Sequence, residues 1–528
     1  MPDILRRRPL LLILLAGLAL RTAIALLLPP GYDEAYYLFY GRHLDLSYFD
    51  HPLAVGIWAW LGQQLPWGIT GLRLPALISY TLATALLALA ARRQLSPGSD
   101  LWTAALAAVS PLLLVVGGVL LLPDPPLLLA LSAVIWALAV NLPWGLLGLL
   151  LGALTLCKYQ ALPLLLCLLI WALSSEQSRR RLLGSEGLQA LLGWLLVSSP
   201  LWIWNGQHHW VSFLFQGSRT LQRAGFELSG PLLFLISQIL ALFPTIGVLL
   251  LLTAFQRKPS ERKPSEPKPL GRNQQKPNDF GKLLRWLALP QLLLFLLLAG
   301  RMQVLISWLV PTWWLLLPLA AEQLALAQRR RARWLRWWIP FTLILPPLLA
   351  LVAASHVRFG IGAGLLPAAA DTSVELISPE ELRRALRSDP ALWQELTKAR
   401  LLVGEQYYEP GFLALALGSA SQATYTTFAN DSRGFSFWQP SDGFKGQGGV
   451  LFQLVSPEEV AKAPGGRISS KWSEVLKLQP LGEVVLYRGG KPARVAVFHR
   501  FVEIPGSWPR RYGPFRNSSK TGDGQSSP

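Results

Sequence analysis

Carboxylate side chains frame a tyrosine-rich segment near the start of the chain. Asp33 and Glu34 follow Pro29-Pro30-Gly31, and Asp50 and His51 end the same segment. A carboxylate beside a reacting group can accept its proton. The structural alternative stays open, because acidic residues at a helix start are also stabilised by the positive end of the helix dipole. A single histidine such as His51 is more often structural.

Charged residues also interrupt apolar segments elsewhere. Asp124 stands between prolines, where it either caps a helix or needs solvent or a partner. Lys158 interrupts an apolar run of some 30 residues, and it either reaches the membrane interface or meets a phosphate. Arg21 lies about ten residues from the end of the first apolar segment, roughly 15 Å deep if helical. It therefore needs a carboxylate, backbone carbonyls or a lipid phosphate as partner.

Two further polar positions follow apolar segments. Asn205 and His208 open one connection, and Arg301 lies in another. His208 and His209 are adjacent, which is not the spacing of zinc ligands on a helix, so no zinc site is predicted here. Together the acids and cations suit transfer of a group from a lipid phosphate. The acid activates the acceptor and the cations hold the departing phosphate.

Membrane-spanning helices are the elements that must position these residues. Of the 528 residues, 52% are apolar and only 15% are charged, against roughly 25% charged in a soluble domain. This composition excludes a soluble globule and a disordered chain. Cys157 and Cys167 lie in apolar segments and are predicted to be inert buried thiols. Eleven segments approach the length of about 20 residues that a spanning helix needs: 9–28, 69–91, 101–121, 125–141, 144–157, 159–174, 187–204, 231–254, 283–300, 304–325 and 337–355.

The basic residues predict the orientation of these spans. The net charge is +19, and the strong basic runs fall in alternate connections rather than on one surface, which argues against nucleic-acid binding. Cytoplasmic loops carry such an excess of Lys and Arg. We therefore predict a cytoplasmic N-terminus, an odd number of spans and an external C-terminal region. The runs are Arg6–Arg8, Arg92-Arg93, Arg179–Arg181, Arg257–Arg285 and Arg329–Arg333.

Three regions are predicted. Residues 1–355 form the membrane domain, with an outer loop at 29–68 and a proline-rich cytoplasmic linker at 256–282. Residues 356–515 form a soluble extracytoplasmic α/β domain, and 516–528 a disordered tail.

The soluble domain has a recognisable order of elements. A capping-box sequence at Ser378 predicts a helix to about Ala399, and a second helix is predicted over Pro410–Leu417. Five strands are predicted at Leu401–Gly404, Ala423–Phe428, Val450–Val455, Glu483–Tyr487 and Val495–Phe501.

Ordered landmarks across the membrane domain resemble a known family. They are Tyr32-Asp33-Glu34 with Tyr37, Tyr48-Phe49-Asp50-His51-Pro52, Asp124-Pro125, Lys158-Tyr159 and Trp204-Asn205, followed more weakly by Gln406-Tyr407-Tyr408 and Phe437-Trp438. This set resembles glycosyltransferase family 39, which includes protein mannosyltransferase-like domains, and the related aminoarabinose transferases. The resemblance implies a GT-C-fold transferase of the cell membrane that uses a polyprenyl-phosphate sugar donor. Its acceptor would be a lipid, a glycan or a protein.

The resemblance also implies roles for individual residues. Asp33 would be the catalytic base, with Glu34 beside it, and Asp50, His51 and Asp124 would shape the acceptor site or a divalent metal site.

Lys158 and Arg301, with Arg21, would contact the donor phosphate, and Asn205 and His208 are further outer-loop candidates. The aminoarabinose transferases usually carry Glu-Lys where this chain has Asp50-His51, so the acceptor is not fixed by the resemblance. A transporter or flippase of lipid-linked sugars and an O-antigen-type ligase remain the alternatives.

Overall fold

The computed structural model describes residues 2–218, 225–256, 277–363, 371–439, 441–462 and 476–506, with side chains described from Arg8 in the first of these ranges and from Phe280 in the third. The N-terminal part of the chain is helical throughout. Its helices are α1 (Pro2–Leu27), α2 (Tyr32–Arg42), α3 (Ala54–Gln63), α4 (Gly68–Gln94), α5 (Ser99–Val109), α6 (Pro111–Val116), α7 (Asp124–Val140), α8 (Trp144–Thr155), α9 (Ala161–Ser174), α10 (Glu176–Leu182), α11 (Ser185–Gln207), α12 (Val211–Ser218), α13 (Ser229–Leu242), α14 (Pro244–Phe255), α15 (Pro277–Ala299), α16 (Val310–Arg329) and α17 (Leu335–Phe359).

The predicted polytopic membrane protein is confirmed, but the count of eleven spans is not. Among the described residues, six helical segments are long and apolar enough to cross a bilayer, or seven if the bent pair α9 and α10 forms one span. Four further apolar helices have 10–17 residues and fall short of a full crossing. The six are Arg8–Leu27, Gly68–Gln94, Ser185–Gln207, Phe280–Ala299, Ile306–Arg329 and Leu335–Phe359.

Prolines divide two segments that hydropathy alone treats as continuous. The predicted span 101–121 ends at Ser110 and restarts as α6 at Pro111. The predicted span 231–254 breaks between α13 and α14 at Phe243, whose φ is 78°, just before Pro244. Proline lacks the N–H that continues a helix and disfavours helical geometry in the residue before it. These breaks account for two of the predicted spans that the structure does not show as full-length helices.

Helix α16 forms the centre of the helical part. Of its membrane-spanning window, 89% is buried inside the protein. Its indole N–H groups find buried acceptors, with Trp313 donating to Gln238 at 2.8 Å and Trp314 donating to Ser132 at 2.8 Å.

The C-terminal residues form a mixed α/β domain, as predicted. Its elements are α18 (Pro379–Arg387), α19 (Pro390–Lys398), β1 (Leu401–Gly404), α20 (Glu409–Leu417), β2 (Thr424–Thr427), α21 (Phe435–Trp438), β3 (Gly449–Val455), α22 (Pro457–Lys462), β4 (Leu478–Arg488) and β5 (Lys491–Phe501).

All five predicted strands are present in one sheet, in the order β2-β1-β3-β5-β4. Strand β1 is parallel to β2 and β3, whereas β5 is antiparallel to β3 and β4. The single helix predicted from Ser378 is two helices, because Asp389-Pro390 restarts it. The Asp389 carboxylate accepts the Leu392 N–H at 3.0 Å as a new N-cap.

The C-terminal domain packs directly on the 29–68 segment, which contains α2 and α3. Tyr32 stacks on Tyr408 with ring centroids 4.0 Å apart. Gly411 of α20 lies so close to α2 that a Cβ there would be 1.9 Å from the Ala35 carbonyl oxygen. The absence of a side chain at Gly411 is therefore required for this contact, and the two regions share one continuous apolar core.

Two sequence predictions fall wholly or partly outside the described residues. The tail 516–528 and residues 257–276 of the linker lie outside them, while the end of the predicted linker, from Pro277, belongs to α15. Cys157 and Cys167 are both buried and unbridged, as expected.

Candidate active site

A cavity of about 470 Å³ opens where α2, the start of α7 and the 158–160 segment meet the C-terminal domain. It brings together five of the residues that the sequence analysis proposed for catalysis or binding. These are Asp33, Asp50, His51, Asp124 and Lys158. The remaining lining residues are Tyr37, Leu122, Pro123, Tyr159, Gln160, Pro163, Phe215, Gln216, Phe295, Leu298, Leu305, Ser307, Trp308, Tyr407 and Arg433.

Asp33 occupies the first turn of α2 and remains accessible. Its side chain is 42% exposed, more than those of Asp50, Asp124, Lys158 and Arg433 in the same cavity. It accepts a hydrogen bond from the Tyr407 hydroxyl at 3.3 Å and lies 3.5 Å from Arg433. Burial, then the Asp33 charge, raises the pKa of Tyr407 well above its usual value, so Tyr407 keeps its proton and donates. The Asp33 carboxylate is therefore accessible from the cavity and can accept further hydrogen bonds there.

Asp50 is held far more tightly than Asp33. Its side chain is only 4% exposed. One carboxylate oxygen accepts the hydroxyls of Tyr36, at 3.2 Å, and Tyr40, while the other lies 3.5 Å from Arg433. Its own backbone carbonyl accepts from Gln216 at 2.9 Å. This network holds the Asp50 carboxylate in a fixed position in the wall of the cavity.

Asp124 and Lys158 form a buried ion pair at the cavity wall. The ammonium lies 2.9 Å and 3.0 Å from the two carboxylate oxygens. Their side chains are 3% and 11% exposed, respectively. Because an ammonium has three N–H donors, one donor of Lys158 remains for a ligand.

Glu34 lies outside the cavity lining, although it neighbours Asp33 in sequence. Its carboxylate accepts two hydrogen bonds from Arg73, at 2.8 and 2.6 Å, and the backbone N–H groups of Gly31, at 3.0 Å, and Leu121, at 2.9 Å. Both side chains of the pair are fully buried. This geometry gives Glu34 a structural role in joining the start of α2 to the segment before Asp124.

Four other sequence candidates also lie outside the cavity lining. Arg21 is buried, donating to the Thr81 hydroxyl at 2.7 Å with its guanidinium 4.7 Å from a tyrosine ring centre. Arg301 is exposed beyond the end of α15. Neither side chain lines the cavity that holds Lys158.

Asn205 is buried behind the lining residue Tyr159, its amide 3.4 Å from the Tyr159 hydroxyl and 3.0 Å from the Leu201 carbonyl. His208 stacks on Trp204 with centroids 4.0 Å apart. Both residues therefore support the wall and do not face the cavity.

Sequence reasoning missed two arginines. Arg73 stands alone inside the apolar segment predicted at 69–91, and a lone intramembrane charge is a signal that a partner exists. Arg433 comes from the C-terminal domain, where an arginine carries no such signal. Among the described residues, no group of three or more His, Cys, Asp or Glu side chains is close enough to hold a metal ion, so no residue is assigned to one.

Comparisons with known proteins agree with this geometry. Residues 50–204 match the sequence model of the family described as dolichyl-phosphate-mannose-protein mannosyltransferase. The structure is similar to that of ArnT from Cupriavidus metallidurans in the apo state, at 15% identity, with 93% of this chain and 97% of that chain covered and a TM-score of 0.56. The predicted resemblance is confirmed. The chain has the GT-C fold.

A second ArnT structure, described as bound to undecaprenyl phosphate, matches equally well. Its identity is 14%, the coverage is again 93% and 97%, and the TM-score is 0.58. No curated protein sequence matches the chain at a significant level. The structural similarity to ArnT therefore extends over almost the whole chain, whereas the sequence match is confined to the region that carries Asp50, Asp124 and Lys158.

Proposed function

We propose that the protein transfers a sugar from a polyprenyl-phosphate donor to a lipid, glycan or protein acceptor. The observation that carries this proposal is the cavity, in which accessible Asp33 and the cations Lys158 and Arg433 face the same space. The matched family and the lipid-bound ArnT are both named for polyprenyl-phosphate compounds, which supports the same donor class.

In this mechanism Asp33 accepts the proton of the acceptor group as its heteroatom attacks the anomeric carbon. The bond from that carbon to the phosphate oxygen breaks, and the electron pair leaves with the phosphate. The cavity cations stabilise the negative charge that grows on the leaving oxygen. A single displacement inverts the anomeric configuration.

The direct test measures release of polyprenyl phosphate from a radiolabelled polyprenyl-phosphate sugar. The full chain, in bilayer nanodiscs, is incubated with lipid, glycan and peptide acceptors in separate reactions. We expect labelled product with one acceptor class. In a parallel vesicle assay, movement of intact donor between leaflets without cleavage would instead support the transporter alternative.

We predict that the cavity faces the cell exterior or periplasm. The basic runs predict the N-terminus and alternate connections to be cytoplasmic. Reporter fusions after Arg93, Arg181, Gln256 and Arg331 should give a cytoplasmic signal, and one after His356 an external signal. A cytoplasmic signal after His356 would reverse the side assigned to the cavity, because the C-terminal domain covers it.

Lys158→Met should weaken donor binding about tenfold or more. Hydrogen bonds to charged groups contribute about 1.5–3 kcal/mol, and methionine keeps the apolar stem but removes the N–H donors. The measurement is the dissociation constant for polyprenyl phosphate in nanodiscs.

Since Lys158→Met leaves Asp124 buried and unpaired, the double variant Asp124→Asn with Lys158→Met is needed as well. We expect it to recover stability but not affinity. Arg301→Met is the matched control, and its affinity should stay close to wild type because Arg301 is exposed outside the cavity. Equal affinity in all variants would leave Lys158 with a purely structural role.

A further inference from the structure

Arg433 lines the cavity, and its contacts with the neighbouring carboxylates are unusually long. Its contacts with Asp33 and Asp50 are 3.5 Å long, and its Nε lies 3.8 Å from Asp431. Well-formed N–H···O bonds measure about 2.7–3.2 Å. The Nε, although buried, has no hydrogen-bond partner. The guanidinium therefore keeps N–H capacity that the protein itself does not use.

Arg73 shows what a purely structural buried arginine looks like in this protein. It makes five hydrogen bonds of 2.6–2.9 Å, which match the five N–H donors of a guanidinium, to Glu34 and to the carbonyls of Ala25, Leu28 and Pro29. The N–H donors of Arg433 are not all occupied in this way. Its side chain is 21% exposed, and it lines the cavity.

The surrounding loop nevertheless fixes Arg433 in place. The guanidinium lies over the Tyr407 ring, with its central carbon 3.7 Å from the ring centre. Its backbone has φ of 46°, a left-handed conformation uncommon for residues other than glycine. The next residue, Gly434, donates its N–H to the buried Tyr36 hydroxyl at 2.8 Å. Strained positions that the surroundings maintain are enriched at ligand-binding sites.

The other cation of the described lining cannot satisfy a phosphate alone. Lys158 spends two donors on Asp124. A phosphate entering this cavity would also meet the carboxylates of Asp33, Asp50 and Asp124. A planar guanidinium that binds phosphate through two parallel N–H bonds provides the missing attraction.

We propose that Arg433 of the C-terminal domain binds the phosphate of the polyprenyl-phosphate donor, together with Lys158. This inference rests on the proposed function. Donor binding then draws the N–H groups of Arg433 from Asp33 and Asp50 to the phosphate. Asp33 then has one fewer hydrogen-bond donor beside it, so its carboxylate is open to the acceptor group. The C-terminal domain is thus part of the donor site.

The test compares polyprenyl phosphate with the neutral polyprenol of the same length, both titrated into the full chain in nanodiscs. Wild type should prefer the phosphate, and Arg433→Met should reduce that preference about ten- to hundredfold, the range expected for charge-assisted bonds. Arg433→Lys should fall in between, since it keeps the charge without the planar fork. Arg500→Met is the matched control, because Arg500 is a surface arginine of the same domain paired with Glu395 at 2.6 Å.

The outcomes separate the proposal from its premise. Loss of polyprenol and phosphate binding alike in both Arg433 variants would show general damage to the cavity and would overturn the phosphate contact. An unchanged preference for the phosphate in Arg433→Met would also overturn the phosphate contact. Faster sugar transfer by Arg433→Met would overturn it too, because it would show that Arg433 restrains Asp33. Failure of wild type to prefer the phosphate would instead count against the proposed function.

Discussion

Asp33→Asn should lower the rate of sugar transfer about 10²–10⁴-fold, the usual contribution of a positioned general base. Asparagine has nearly the same shape and can still accept the Tyr407 hydroxyl through its amide oxygen. It cannot take up the acceptor proton. The variant should therefore fold and bind polyprenyl phosphate while single-turnover transfer is lost.

The environment of Asp33 distinguishes it from the other acids. Asp50 is engaged by two tyrosines and an arginine, Asp124 by Lys158, and Glu34 by four donors outside the cavity. Asp33 alone among these four carboxylates is more than a third exposed.

Asp45→Asn is a matched control for Asp33→Asn in the same loop. Asp45 accepts the Trp204 indole N–H at 2.8 Å, a bond that an amide oxygen can keep, and it does not line the cavity. Its transfer rate should remain close to wild type. If Asp33→Asn transfers normally, Asp33 is only a helix-start residue, and Asp50 becomes the next candidate for the base.

The sequence was informative wherever a charge interrupts an apolar pattern. Asp124 and Lys158 are separated by 33 residues, yet both stand at ends of apolar segments, and burial there requires a partner. That constraint predicts a partner for Asp124, and the structure shows that the partner is Lys158. The strands of the C-terminal domain were equally predictable, because β-branched and aromatic runs lie between turn residues.

Tertiary partners were less predictable. Glu34 and Asp33 are adjacent acids, and only the packing of Arg73 against the turn after α1 decides which of them is buried. Arg433 enters the cavity because Gly411 allows α20 to approach α2. Neither contact leaves a periodic pattern in the sequence. Two of the predicted spans, 101–121 and 231–254, were wrong for a local reason, since hydropathy does not register the helix breaks at Pro111 and Pro244.

Arg73→Met should destabilise the protein by about 3–5 kcal/mol, the cost of removing one partner from a buried ion pair. Glu34 would be left as an unpaired buried charge, and the carbonyls that end α1 would lose their donors. Since Glu34 also holds the Leu121 N–H, the segment leading to Asp124 would loosen too. Unfolding by denaturant titration in lipid bicelles measures the first effect, and donor affinity measures the second.

Arg180→Met provides the control, because Arg180 pairs with Glu176 on the protein surface, where the two side chains are 79% and 66% exposed. Exposed pairs contribute about 0–1 kcal/mol, so this variant should unfold almost like wild type. Adding Glu34→Gln to Arg73→Met removes the stranded charge and should recover part of the stability. An Arg73→Met protein that unfolds like wild type yet transfers no sugar would contradict the structural role. Arg73 and Glu34 would then belong to the reaction itself, and the assignment of Asp33 as the sole base would have to be revised.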